Sequence, residues 1–223
     1  MHGPSRRATA GLLVVLAAAS GYLDVICLTR LDGFFASVIT GNLVHFGHAI
    51  ATADGRSLAG AAAAVGGYAL GVAGATLPLR HTMPGWNGPT AVVAGAESVL
   101  LLGFAAGWLG CAGRPGFAAG LVLLAVASVA SGVQSVITIG AGVRGASTTY
   151  LTGSLTSLVR RRVLDPHRFA DVGGAGRLVG LVGGAALGTV GLRATATWAP
   201  VLAAVLVIAV VTVAIGLTRR TVT

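Results

Sequence analysis

The chain has 223 residues, of which 55% are hydrophobic and only 9% charged. A soluble globular domain carries about a quarter charged residues, so composition alone excludes that class. The net charge of +9 comes entirely from arginines, and these stand at the ends of apolar runs rather than along one face, which excludes a phosphate-binding surface and nucleic acid as a partner.

Long apolar runs separated by short charged breaks predict an all-α, polytopic helical membrane protein. In hydrocarbon every backbone N–H and C=O must be satisfied within the segment, which favours helices, and the alternating pattern of a membrane barrel is absent. The first segment, 8–29, follows Arg6-Arg7 and resembles a signal peptide at first sight. Its Ser20-Gly21 recurs inside the chain, so the expectation is a retained first helix. It carries Asp24 five residues short of the segment end. A carboxylate at that depth needs a partner or water, and reads as an ion or proton site, or as an interfacial group paired with Arg30 or capping a helix.

The second segment, 34–53, is polar for a span, with Thr40, Gly41, Asn42, His45 and His48. The two histidines, three apart, share a helix face; a metal site would need further ligands, with Glu97 the obvious buried one, and no metal is expected. The third segment, 58–79, holds Gly67 and Gly71, spaced for close helix packing. The fourth, 90–110, buries Glu97 about 10 Å from its start, the deepest acid in the chain: a proton carrier, or a structural carboxylate bonded to a Ser or His.

The fifth segment, 116–139, opens a second unit, because Ser20-Gly21-Tyr22-Leu23-Asp24-Val25-Ile26 returns as Ser131-Gly132-Val133-Gln134-Ser135-Val136-Ile137. Ile39-Thr40-Gly41-Asn42-Leu43 likewise returns as Leu151-Thr152-Gly153-Ser154-Leu155 in the sixth segment, 146–159. Between Arg144 and Arg160 that segment offers about 22 Å of helix against a core of about 30 Å, so it spans with snorkelling arginines or is re-entrant. The seventh, 174–193, carries Gly180, Gly184 and Gly188, and Gly184-Ala185-Ala186-Leu187-Gly188 is matched to Gly67-Tyr68-Ala69-Leu70-Gly71. The eighth runs over 197–218. The expectation is one integral membrane domain, 1–223, built from repeat units 8–110 and 116–218, with six spanning helices and two short polar segments that are re-entrant or spanning.

Trp86, Trp108 and Trp198 stand at segment ends, where interfacial aromatics belong. Cys27 and Cys111 lie in or beside apolar segments and read as buried structural thiols. Whether the short segments cross or not, eleven of the 15 arginines fall on the face that holds both termini, which is then cytoplasmic. Four spans per unit would give parallel repeats; three spans and a re-entrant segment would give inverted ones.

The run Gly21-Tyr22-Leu23-Asp24, then Gly33-Phe34-Phe35, then Thr40-Gly41-Asn42 resembles the YoaK-type family of bacterial membrane proteins, a domain of unknown function described with about six membrane helices. The resemblance implies a multi-pass plasma-membrane protein of uncharacterised activity and supplies no catalytic residues. From the residues themselves, the expected function is a small transporter or channel-like protein for an ion or small polar solute. Thr40, Gly41, Asn42, Thr152, Gly153 and Ser154 would meet near the midplane, with Asp24 and Glu97 supplying charge and a homo-oligomer joined through glycine ladders. The alternatives are an assembly partner without transport, or an intramembrane enzyme using Glu97 with His45 or His48. No phosphate loop, dinucleotide fingerprint or zincin helix occurs, so no cofactor is expected.

Overall fold

The computed structural model describes residues 5–141, 151–164 and 172–220. Among them the chain forms α1 (Arg6–Arg30), α2 (Ile39–Thr52), α3 (Gly55–Leu79), α4 (Gly88–Gly110), α5 (Phe117–Gly140), α6 (Leu151–Leu164), α7 (Val172–Ala194) and α8 (Ala199–Arg220). Six of these, all but α2 and α6, are long and apolar enough to cross a membrane. The starts follow local chemistry. Ser5 Oγ accepts the Ala8 N–H, Asp54 Oδ1 accepts the Arg56 and Ser57 N–H groups, and Asn87 Oδ1 accepts the Thr90 N–H, each satisfying donors that the first turn leaves orphaned. The Ser57 hydroxyl and N–H hold the exposed Asp54 carboxyl below its ordinary range.

Two glycine seams fix the packing. In one, Gly67 and Gly71 of α3 lie on the backbone of Ala125 and Val129 in α5, and Gly132 answers from α5 against Tyr68 and Val72. In the other, Gly180 and Gly184 of α7 lie on Val14 and Ala18 of α1, Gly21 answers against Leu181, and Gly188 meets Tyr22 and Val25. At Gly71, Gly132 and Gly184 a Cβ would overlap the facing main chain, so these backbones approach as closely as small-residue packing in lipid allows. Residue numbers rise together along both seams, so α3 runs parallel to α5 and α7 parallel to α1.

The seams correct one detail of the sequence matching. Gly67 and Gly71 occupy the places that Gly180 and Gly184 hold in the other seam, one helical turn earlier than the match to Gly184 and Gly188. A ladder of glycines at four-residue spacing looks the same after a one-turn shift, and only the facing backbone fixes the register.

Every helix pairing has a counterpart when α1–α4 are exchanged with α5–α8. The seam of α1 with α7 answers that of α5 with α3, α4 against α5 answers α8 against α1, and α2 on α3 answers α6 on α7; α1–α5 and α4–α8 map onto themselves.

Directions settle which segments cross. Gln134, late in α5, touches Leu16 and Ser20 of α1, whereas Leu31, just past α1, lies against Gly120 early in α5. The two helices are therefore antiparallel. Asp32 pairs with Arg56 at the start of α3 (3.2 Å), and Phe34 packs on Gly60, so α3 begins at the end where α1 finishes. Parallel to α1, α7 begins where α1 begins and where α5 ends. Neither α2 nor α6 carries the chain across, and of the two alternatives for the short segments the six-span geometry holds.

The link from α1 to α2 turns back into the bundle. The Ser37 N–H and hydroxyl donate to Asp24 (2.8 and 2.5 Å), six residues or about 9 Å inside the end of α1. From there α2, about 21 Å long, climbs out to Asp54. Asn42 Oδ1 accepts the Phe35 N–H (3.1 Å) and its Nδ2 donates to the Phe35 carbonyl (2.7 Å), clamping the turn.

Two aromatic and thiol expectations need correction. Trp108 is fully buried and its indole N–H donates to the Ala196 carbonyl, tying the end of α4 to the start of α8; Trp86 is half-buried, and Trp198 alone is exposed. Cys27 is buried, but Cys111 caps α4 and is partly exposed.

Candidate functional site

Where α1, α4, α5 and α8 converge, the helix faces are no longer wholly apolar. Ser20 of α1, Glu97 of α4, and Ser131 and Gln134 of α5 line a cavity of about 10 Å³, closed by Ala19, Leu23, Leu101, Ala130, Ala203 and Val207. Its volume is at the threshold for a single water molecule. Glu97 is 1% exposed and Gln134 4%. The Gln134 amide donates to the Leu16 carbonyl (3.1 Å) and to Ser20 Oγ (2.8 Å), crossing from α5 to α1. The Glu97 carboxyl accepts no hydrogen bond among the described residues, although an unpaired ionised carboxylate in such surroundings costs several kcal/mol.

Residues matched in sequence face each other here. Ala19 and Ser20 oppose Ala130 and Ser131, and Leu23 is matched by Gln134. The carboxylate has no such mate: the place across from Glu97, on α8, is lined by Val207. The site is thus nearly symmetric in shape and one-sided in charge.

The other residues singled out from sequence lie elsewhere. Asp24 neither pairs with Arg30 nor opens on the cavity: its two oxygens anchor Ser37, and its sequence match, Ser135, accepts the Tyr68 hydroxyl (2.7 Å). Asn42 is fully buried and spent on Phe35, Gly41 sits against Phe35 and Val38, and Thr40 is exposed. Thr152 and Gly153 are exposed and Ser154 is partly so. The two polar segments do not meet near the midplane. They lie at opposite ends of the bundle, α2 on α3 and α6 on α7, without mutual contact. The reason is directional: the seams set α3 and α7 antiparallel, so their starts, where α2 and α6 attach, point to opposite faces. His45 packs edge-on against Phe34 (5.4 Å), and α2 makes no contact with α4, so neither histidine joins Glu97.

Ser20, Ser131 and Gln134 were not singled out as site residues from sequence, although they lie in the repeated Ser-Gly motif. By itself the motif marks only a recurrence along the chain. A polar residue kept at matched places on two buried helices was the available signal. Arg177, one of the 15 arginines, is 3% exposed within α7.

The family described as a protein of unknown function (DUF1275) matches residues 12–213. The UPF0700 transmembrane protein YoaK of Bacillus subtilis (strain 168) is 29% identical over 151 residues, which are 66% of this chain and 64% of that protein. The match thus covers less than two thirds of the relative's length. No solved structure matches the chain. With a match over nearly its whole length and six helices fit to cross a bilayer, the chain is a multi-pass membrane protein and belongs to the DUF1275 family.

Proposed function

We propose that the protein is a small bacterial inner-membrane transporter for an ion or small polar solute, built from two inverted repeats, 8–110 and 116–218, with Glu97 as its coupling charge. The observation that carries this is the Glu97 carboxyl, buried between the units, without a hydrogen-bond partner among the described residues, and opening on a cavity that matched residues of both units line. A structural carboxylate would be satisfied by neighbouring donors; one left unpaired at a repeat interface is suited to take up and release a cation or proton. The exchangeable helix pairings and the antiparallel course of α1 and α5 support inverted units. Eleven of the 15 arginines on the face of both termini support a cytoplasmic placement of that face.

The test is reconstitution into proteoliposomes with an entrapped pH dye and an imposed potential. Wild-type protein conducts or exchanges protons, Glu97→Gln does not, and Glu97→Asp retains part of the rate. Equal flux in wild type and Glu97→Gln would remove Glu97 from the mechanism and leave the assembly-partner reading.

A further inference from the structure

Past Gly132 the α3–α5 seam opens. The last turns of α3, with Val72, Thr76 and Leu79, part from Val136, Ile137 and Ile139 of α5, and the 80–85 link roofs the gap. The result is a crevice of about 360 Å³, within the size range of small-molecule sites and far larger than the central cavity. Its walls are mostly aliphatic. The threonine hydroxyls around it are already engaged: Thr76 donates to Val72, Thr82 to Leu79, and Thr90 to the Gly85 carbonyl. That leaves Arg80, the first residue after α3, at the mouth. It is exposed, and its guanidinium meets no carboxylate among the described residues. The rim continues into exposed Leu77, Met83 and Ile139, so the crevice opens sideways at the end of two spanning helices, where lipid headgroups lie.

We propose that this crevice binds an anionic phospholipid, with an acyl chain between α3 and α5 and the phosphate on Arg80. Charge complementarity selects the occupant: an apolar slot at the membrane surface, with Arg80 at its lip unpaired among the described residues, fits an amphiphile with a negative head. The site is separate from the Glu97 cavity, and the proposal stands without the transport reading.

Arg193, the residue after Leu192 of α7, lies at the opposite face and serves as the control for loss of one interfacial arginine. The experiment is native mass spectrometry of delipidated protein titrated with phosphatidylglycerol, phosphatidylcholine or inorganic phosphate. Wild type and Arg193→Ala should retain one phosphatidylglycerol. Retention should fall about fivefold or more in Arg80→Ala, and similarly in Thr76→Phe, which fills the slot from an exposed position. Equal retention of phosphatidylcholine would overturn the headgroup assignment. Unchanged retention in either Arg80→Ala or Thr76→Phe would overturn the site, and competition by inorganic phosphate alone would make it a phosphate site rather than a lipid one.

Discussion

Asp24 and Glu97 are both buried acids, and their neighbours give them opposite roles. Asp24 is fully engaged by the Ser37 N–H and hydroxyl, so it holds the re-entrant turn in place. Replacing it by Ala leaves those donors unmet, at a cost of about 1–3 kcal/mol. Asp24→Ala should therefore lower the melting temperature in detergent, and Asp24→Asn should recover part of the loss; an unchanged melting temperature would mean that the clamp contributes nothing. Glu97 accepts no hydrogen bond among the described residues, so Glu97→Gln should leave the melting temperature unchanged or raised while flux disappears. A fall on the scale of a lost buried hydrogen bond would mark Glu97 as a structural group instead. Depth along the helix was legible in the sequence for both acids. Their difference was not, because Ser37 reaches Asp24 only through a turn whose course the local sequence leaves open.

At the scale of elements, the two parallel seams carry the architecture. A side chain at Gly71 or Gly184 would overlap the main chain of Val129 or Ala18, whereas Gly66 and Gly183, next to the seam glycines, have open space around them. Gly184→Leu and Gly71→Leu should each abolish the monodisperse species in size-exclusion chromatography, while Gly183→Leu and Gly66→Leu elute as wild type. Tolerance of leucine at either seam position would mean that the backbones do not meet there. That these glycines serve packing was readable from their four-residue spacing. Which glycine matches which was not, since a ladder has no internal mark of register.

At the scale of the whole molecule, topology follows from the seams. Asp54 lies at the end where α1 finishes, and Leu164, the last residue of α6, lies by the six-span course at the other. With single cysteines at these two positions in a Cys27- and Cys111-free background, an impermeant thiol reagent added to intact cells should label 54 and spare 164. Labelling of both, or protection of both, would place the two short helices on one face and rule out inverted units.

By itself the sequence determined the class of the protein, the six long spans, the two short polar segments and the depth of each buried acid, because these follow from composition and a 1.5 Å rise along a single helix. It also exposed the recurrence of Ser20-Gly21 as Ser131-Gly132, whose serines line the cavity. Only the tertiary structure decided that α2 and α6 lie at opposite ends, that Asn42 and Asp24 are spent on holding a turn, and that Glu97 opens on Ser20, Ser131 and Gln134. Those outcomes depend on which backbones approach which, and in lipid that choice is made by shape and hydrogen bonding between helices distant in sequence.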